Sequence, residues 1–303
     1  MFETLNLSLP SPITQLHDDL FDRKQIEFFI KRDDLIHPSI QGNKWRKLKY
    51  NLIEARSKKY TTLLTFGGAY SNHIHATAAA GDLLGFKTIG LIRGEQTQPL
   101  NPTLQDAVNW GMQLEFITRC EYKQKNSAEF TARLKDTYGD FYCLPEGGSN
   151  KLALSGCKEI IDEVDLNFDV VCCACGTGGT LAGIITGLTG NSQALGFQVL
   201  KGKEYIKQEV TQLLGKNNFY SKTHWTINSD YHFGGYARIN EDLVNFIKNF
   251  YLKYKIQLDP VYTGKMFYGL FDLVTKDHFD KNSKILAIHT GGIQGNRGFK
   301  LNQ

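Results

Sequence analysis

A chain of 303 residues suits one large domain or two moderate ones, and its 41% hydrophobic and 22% charged content is that of an ordinary globular protein. The net charge of +4 is slight, and the basic residues are spread out with no aromatic interleaving, which argues against a nucleic-acid partner. No apolar run reaches the length of a bilayer span, and the first sixteen residues lack a basic n-region and an apolar h-region, so no membrane partner is expected and the cytoplasm is the expected compartment.

Residues 1–20, with Pro10 and Pro12, read as an irregular arm, and 26–30 as a short strand. The stretch that follows passes through Gln41-Gly42-Asn43-Lys44 into a basic amphipathic segment, expected to be helical over 43–57. Gly42 permits a tight turn, Asn43 is a good N-cap, and Lys44 then stands in the first helical turn. The positive helix end disfavours a cation there; with partial desolvation it lowers an amine pKa and makes Lys44 a candidate Schiff-base former. The plainer alternative places Lys44 with Arg46, Lys47 and Lys49 on a solvated helix.

A strand–helix rhythm then begins. Strands are expected at 61–66, 88–92, 114–117 and 141–144, and helices at 73–84 (ended by Gly85), 102–110 and 127–138. After a turn at 145–150 come a helix to about residue 164, an apolar strand at 169–175, a helix at 181–188, a strand at 194–199 and a helix at 204–213. Residues 217–235 have no clear pattern. Helices at 237–252 and 264–275 and a strand at 284–289 complete the chain. Short strands alternating with helices predict an α/β protein of two open, mostly parallel lobes, with 1–50 and 149–303 forming the larger and 51–148 the smaller.

The sharpest local signal is Gly176-Thr177-Gly178-Gly179-Thr180, between the apolar strand at 169–175 and a helix. Successive N–H groups in such a turn make an anion nest at a positive helix end, and the two threonines add hydroxyls. The spacing fits neither a Walker A loop nor the dinucleotide fingerprint, so a phosphorylated cofactor is the expected ligand, against a turn needed only for close packing. Ser71-Asn72-His73 repeats the strand-end geometry and suits a carboxylate, or else simply caps a helix. Thr290-Gly291-Gly292 is a third such turn, and the three should converge on one crevice. Cys172, Cys173 and Cys175 lack the spacing of a zinc site and read as core thiols, with Cys173 and Cys175 pointing one way and Cys172 the other. His73 and His75 do not share a helix face, and no metal is expected.

Taken together, KRDDL (31–35), GNKWRKLKY (42–50), TFGGAYSNHIHATAAAG (65–81), LPEGGSN (144–150), CGTGGTLAG (175–183), DPVYTGK (259–265) and HTGG (289–292) resemble the 1-aminocyclopropane-1-carboxylate deaminase and D-cysteine desulfhydrase family of pyridoxal-phosphate enzymes. That family has the fold of the tryptophan synthase β-subunit group (fold type II), with the cofactor between two lobes. The resemblance implies pyridoxal 5'-phosphate, a small amino-acid substrate and a homodimer. It implies that Lys44 carries the cofactor and moves protons. Lys47, Cys175 and the loop of Gly176, Thr177, Gly178, Gly179 and Thr180 would hold the phosphate side. Asn72 would donate to the cofactor's phenolic oxygen. Ser71, with Asn72, His73 and neighbouring amides, would bind the substrate carboxylate. Tyr262 would hold the ring or move protons, and Thr290 with Gly291 would meet the ring nitrogen. The deaminase branch carries a tyrosine and then a glutamate late in the C-terminal turn, where this chain has Phe299 and Lys300; the desulfhydrase branch carries the threonine and histidine found here as Thr290 and His73. The resemblance therefore implies β-elimination from D-cysteine or a related D-amino acid. The alternatives are deamination of the cyclopropane amino acid and, in another class, a non-catalytic binding relative.

Overall fold

Sheet formation follows the apolar runs. The computed structural model describes residues 2–202, 205–215 and 224–299. The larger sheet joins Ile13–Leu16 (β1), Glu27–Lys31 (β2), Val170–Cys175 (β7), Gln193–Gln198 (β8), Trp225–Asn228 (β9) and Lys284–Ile288 (β10) in the order β1-β2-β10-β7-β8-β9. The smaller joins Thr62–Gly67 (β3), Lys87–Arg93 (β4), Met112–Ile117 (β5) and Tyr142–Leu144 (β6) in the order β5-β4-β3-β6. Every pairing is parallel except that of β1 with β2. The architecture is the expected fold type II arrangement of two α/β lobes.

The helices are Asp19–Lys24 (α1), Asn43–Ser57 (α2), Asn72–Leu84 (α3), Pro102–Asn109 (α4), Arg119–Lys123 (α5), Ala128–Tyr138 (α6), Lys151–Asp162 (α7), Gly179–Gly187 (α8), Tyr205–Leu214 (α9), Glu241–Tyr254 (α10) and Thr263–Thr275 (α11). Four elements lie where none was expected: β1, α1, α5 and β9. β1 lies inside the proline-bearing arm and owes its form to antiparallel pairing with β2, not to its own pattern. α5 carries a capping box, with Thr118 accepting from Glu121 N–H and Glu121 reaching back to Thr118 N–H. β9 falls in the stretch without a clear pattern, of which 217–223 lie outside the described residues, as does Glu204 at the start of the helix expected over 204–213.

The central strands are buried on both faces, as a parallel sheet requires. Cys172 packs with Phe28, Phe197 and Phe267 toward α10 and α11, while Cys173 and Cys175 pack with Leu181 and Ile185 toward α7 and α8. Fully burying one such aliphatic or aromatic side chain stabilises by roughly 1.5–3 kcal/mol, so the two clusters fix the sheet's register. That register aligns the carboxyl ends of β10 and β7, from which two of the glycine turns leave.

Helix α2 is anchored more tightly than its basic sequence suggests. A Cβ on Gly156 would stand 1.9 Å from Arg46 O, so α2 and α7 touch backbone to backbone. The fully buried Arg46 guanidinium donates to Asp33 at 2.9 and 3.1 Å and to Glu163 at 2.5 and 2.8 Å. Lys31, also fully buried, reaches Glu163 at 2.9 Å and Ser11 O at 2.6 Å. Of the residues expected on a solvated helix, Arg46 and Lys47 are buried. No helix among the described residues is long and apolar enough to cross a membrane.

Candidate active site

The three glycine-bearing turns meet at one cavity of about 360 Å³, lined by Lys44, Ser71, Thr177, Tyr262 and Thr290 among others. Each turn ends a strand and two of them open a helix, so amide donors point inward from two lobes.

Lys44 is the second residue of α2, and its Nζ donates to Asn43 Oδ1 at 3.0 Å. Burial, reinforced by the nearby charge of Lys47, pulls its ammonium from 10.5 down to about 7. A large share of the side chain is then the free amine near neutral pH, the form a carbonyl requires. The expected cap is not the one used. Gly42, with φ of +57°, is the N-cap of α2, and the Asn43 side chain instead donates to Thr180 Oγ1 at 2.8 Å. Asn43 thus ties the start of α2 to the start of α8. Gly42 is required by close approach as well as by φ, since a Cβ there would lie 2.1 Å from Thr290 O.

Lys47 is buried, with Nζ donating to Gly147 O at 3.1 Å, Ser149 Oγ at 3.0 Å and Thr177 Oγ1 at 3.4 Å. None of these is a carboxylate, and burial pushes its pKa down. A buried ammonium held, among the described residues, by neutral oxygens alone, beside the glycine turn at the N-terminus of α8, is a place prepared for an anion. The cavity takes in Cys175, Gly176, Thr177, Gly178 and Thr180. Gly179 sits behind them, where a Cβ would come within 2.5 Å of Ser149 Oγ and 3.3 Å of Lys47 Nζ. The residues present therefore fit a phosphorylated group.

At the second turn, Ser71 Oγ accepts from the N–H groups of His73 and Ile74, both at 3.2 Å, and caps α3 while facing the cavity. Capping and ligand binding are thus compatible, because the hydroxyl proton stays available. Asn72 is fixed by Gln294, which donates to its Oδ1 at 2.6 Å. The His73 ring turns inward to Thr65 Oγ1 at 2.8 Å, and burial beside Lys44 and Lys47 keeps it neutral, well below its ordinary pKa. At the third turn, Thr290 is buried and lines the cavity, and Gly291 N donates to His289 Nδ1 at 3.3 Å.

Tyr262 is the N-cap of α11, its ring packed so closely on Gly176 that a Cβ there would lie 3.0 Å away. Asp259 accepts from the N–H groups of Val261, Tyr262 and Thr263 and holds this turn. Tyr236 stands edge-on to Tyr262, with centroids 6.2 Å apart, and burial raises the proton affinity of both phenols. Sequence reasoning missed Tyr236, Ser149 and Gln294. Tyr236 lies next to the patternless stretch, and Gln294 gave no signal without its partner Asn72. Phe299 lines an adjoining outer cavity, while Tyr205, Tyr236 and Tyr262 line the inner one. Lys300 lies outside the described residues.

Two α/β lobes around a cavity lined by Lys44 and the 176–180 turn have the architecture of the pyridoxal-phosphate enzymes of fold type II. The comparisons agree: the chain belongs to the pyridoxal-phosphate dependent enzymes, whose family model matches residues 7–291, within the deaminase and D-cysteine desulfhydrase group. It is 34% identical over 286 residues to a Pyrococcus furiosus protein whose assignment as a 1-aminocyclopropane-1-carboxylate deaminase is provisional, covering 89% of this chain and 85% of that one. It is 30% identical over 306 residues to a D-cysteine desulfhydrase of Klebsiella pneumoniae, covering 94% and 92%. A crystal structure of a homologue of the deaminase superposes with a TM-score of 0.83 at 31% identity, covering 96% of this chain and 93% of that one.

Proposed function

We propose that the chain is a deaminating lyase that eliminates the β-substituent of a small D-amino acid, D-cysteine first, to pyruvate, ammonia and sulfide. The observation that carries the reading is the pairing of an amine near pKa 7 at Lys44 with a buried, carboxylate-free Lys47 beside the 176–180 turn. Pyridoxal phosphate, when bound, supplies a carbonyl for the amine and an electron sink for a carbanion. Lys44, Lys47, Asn72, Cys175, Gly176, Thr177, Gly178, Gly179, Thr180, Tyr262, Thr290 and Gly291 would hold it. Lys47, Thr177 and the amides of 176–179 would take the phosphate. Asn72, oriented by Gln294, would offer its amide nitrogen to the phenolic oxygen. Ser71, with Asn72 and His73 at the start of α3, would fix the substrate carboxylate, and so decide which α-bond is labile. Lys44 would remove the α-proton at its Nζ, and Tyr262 would hold or pass a proton at its hydroxyl.

Thr290 supports elimination: a neutral hydroxyl accepts or donates without forcing a proton onto a ring nitrogen, and a weaker sink suffices when a leaving group departs from the β-carbon. The rival, deamination of 1-aminocyclopropane-1-carboxylate to 2-oxobutyrate, draws support from the Tyr236–Tyr262 pair, which offers the phenol that ring opening needs. Residues 51–148 as the smaller lobe, a homodimer and a cytoplasmic compartment belong to the same proposal; sedimentation of the purified protein tests the dimer.

Borohydride reduction should fix the cofactor to the Lys44 peptide, and Lys44→Ala should retain some cofactor but not turn over. Label on another lysine alone would end the assignment. A panel of D- and L-cysteine, β-chloro-D-alanine and the cyclopropane substrate, with keto acid and sulfide measured separately, tests the reaction. Faster turnover of the cyclopropane compound than of D-cysteine would replace the first reading with the second.

A further inference from the structure

Beyond the inner crevice lies a second cavity of about 820 Å³ that shares Gly68, Asn72, Arg93, Glu146, Tyr236 and Tyr262 with it. The two are contiguous, and the outer one is basic. Arg93, Arg119, Lys123 and Lys125 face it, against the carboxylates of Glu146 and Asp259. Glu146 is paired with Lys125 at 3.3 Å, and Asp259 is occupied by the amides of its own turn. Among the described residues, Arg93, Arg119 and Lys123 have no carboxylate partner.

A surface helix often carries idle cations, but two features separate this cluster from a solvated face. It lines a concavity, where like charges cannot spread apart. In addition, the buried Tyr122 ring carries two cations at once, with the Arg93 guanidinium 5.4 Å and the Lys125 ammonium 5.0 Å from its centroid. Arg93 ends β4 and reaches across to the first glycine turn, where a Cβ on Gly68 would lie 3.7 Å from its Nη2. Its guanidinium therefore lines the same cavity as Ser71 and Asn72, a planar donor fork without an acceptor among the described residues.

We propose that Arg93, backed by the outer basic cavity, binds a second anionic group on the amino-acid substrate, such as a phosphonate, phosphate or sulfonate on the β-carbon. The inference rests on the reading of the inner crevice as an amino-acid site. The α-carboxylate goes to the start of α3 and the β-substituent points outward to Arg93. A leaving group that departs as an anion is then drawn toward the outer cavity.

The test separates binding from turnover. The holoenzyme is titrated calorimetrically with both enantiomers of 2-amino-3-phosphonopropionate, whose carbon–phosphorus bond is not eliminated, and with both enantiomers of alanine, which lacks the second anion. For at least one enantiomer the phosphonate should bind about 10- to 100-fold more tightly than alanine at low salt, the advantage shrinking as ionic strength rises. Arg93→Met should weaken the phosphonate at least about tenfold more than it weakens alanine, and Arg93→Lys should restore part of the difference. Thermal unfolding of both variants reports their folding. Equal affinity for the two ligands, or equal loss of both in Arg93→Met, would overturn the inference, because Arg93 would then serve the shared carboxylate or the fold. Pyruvate release from O-phosphoserine and β-chloroalanine is measured alongside. Absence of elimination from either would count against the lyase reading, while the calorimetric difference would still decide the anion site.

Discussion

Replacing Lys47 by methionine should move two observables in opposite directions. In the cofactor-free protein, the buried ammonium is held by Gly147 O, Ser149 Oγ and Thr177 Oγ1, with no carboxylate to repay its desolvation. Exchanging such a charge for an apolar chain of similar length is often neutral or stabilising by about 1–4 kcal/mol. Here Gly147 O loses a donor, while Ser149 and Thr177 keep each other at 2.6 Å, so a gain of about 0–2 kcal/mol is expected. A bound phosphate, however, loses a charge-assisted hydrogen bond of about 1.5–3 kcal/mol, or roughly 10- to 150-fold in Kd. Thermal unfolding of the apo form, with fluorescence titration of pyridoxal phosphate and of inorganic phosphate, measures both. A marked fall in apo stability with unchanged phosphate affinity would refute the reasoning, because Lys47 would then be a structural cation and not an anion anchor.

Glu163→Gln should destabilise by about 2–3 kcal/mol, because Arg46 and Lys31 stay buried with less charge to meet them, and Glu163 is only partly screened by solvent. Arg46 and Lys31 hold the Glu163 carboxyl at about 2, below 4.5; this contribution is fully present above 4.5 and is lost as pH falls through about 2, so acid unfolding of the variant should show a shallower slope in that window. Gly42→Ala should cost at least about 2 kcal/mol and the cofactor's absorbance, since the new Cβ meets Thr290 O at 2.1 Å, whereas Gly85→Ala, at φ of +70° with nothing within 4 Å, should cost only about 1 kcal/mol of backbone strain. Equal losses in their melting curves would show that close approach at Gly42 is unimportant.

Much of the site was legible because its parts announce themselves locally. A glycine turn after an apolar strand needs no partner to be read as a nest, and Ser71 before a helical run reads as a cap whatever else it does. What escaped were residues defined by contacts distant in sequence. Asn43 reads as a cap by type, but Gly42 already takes that place, and Asn43 reaches Thr180 instead. Arg46 looks like surface charge until the turn after β2 and the C-terminal cap of α7 bring Asp33 and Glu163 to it. Gln294 gains meaning only when its turn returns to Asn72 across the lobes. Short elements failed for the same reason: β1 is a strand only because β2 lies beside it.

The two lysines of α2 are coupled, and the coupling predicts how an anion prepares the site. Lys44 is brought to about 7 first by burial and then by the positive charge of Lys47. An anion bound at Lys47 cancels part of that second contribution, so it must raise the pKa of Lys44. Removing the Lys47 charge by substitution must do the same without any anion. Through a medium of intermediate dielectric, one charge cancelled at a separation of several ångströms shifts the midpoint upward by on the order of half to one pH unit. In the apo protein, the rate of Lys44 acylation by a small neutral reagent, followed by peptide mass spectrometry across pH, reports that midpoint. Inorganic phosphate should move it upward in the native chain. In Lys47→Met it should start higher and respond weakly to phosphate. A midpoint that neither phosphate nor the substitution moves would mean that burial alone sets the amine, and that the phosphate nest and the reactive nitrogen act independently.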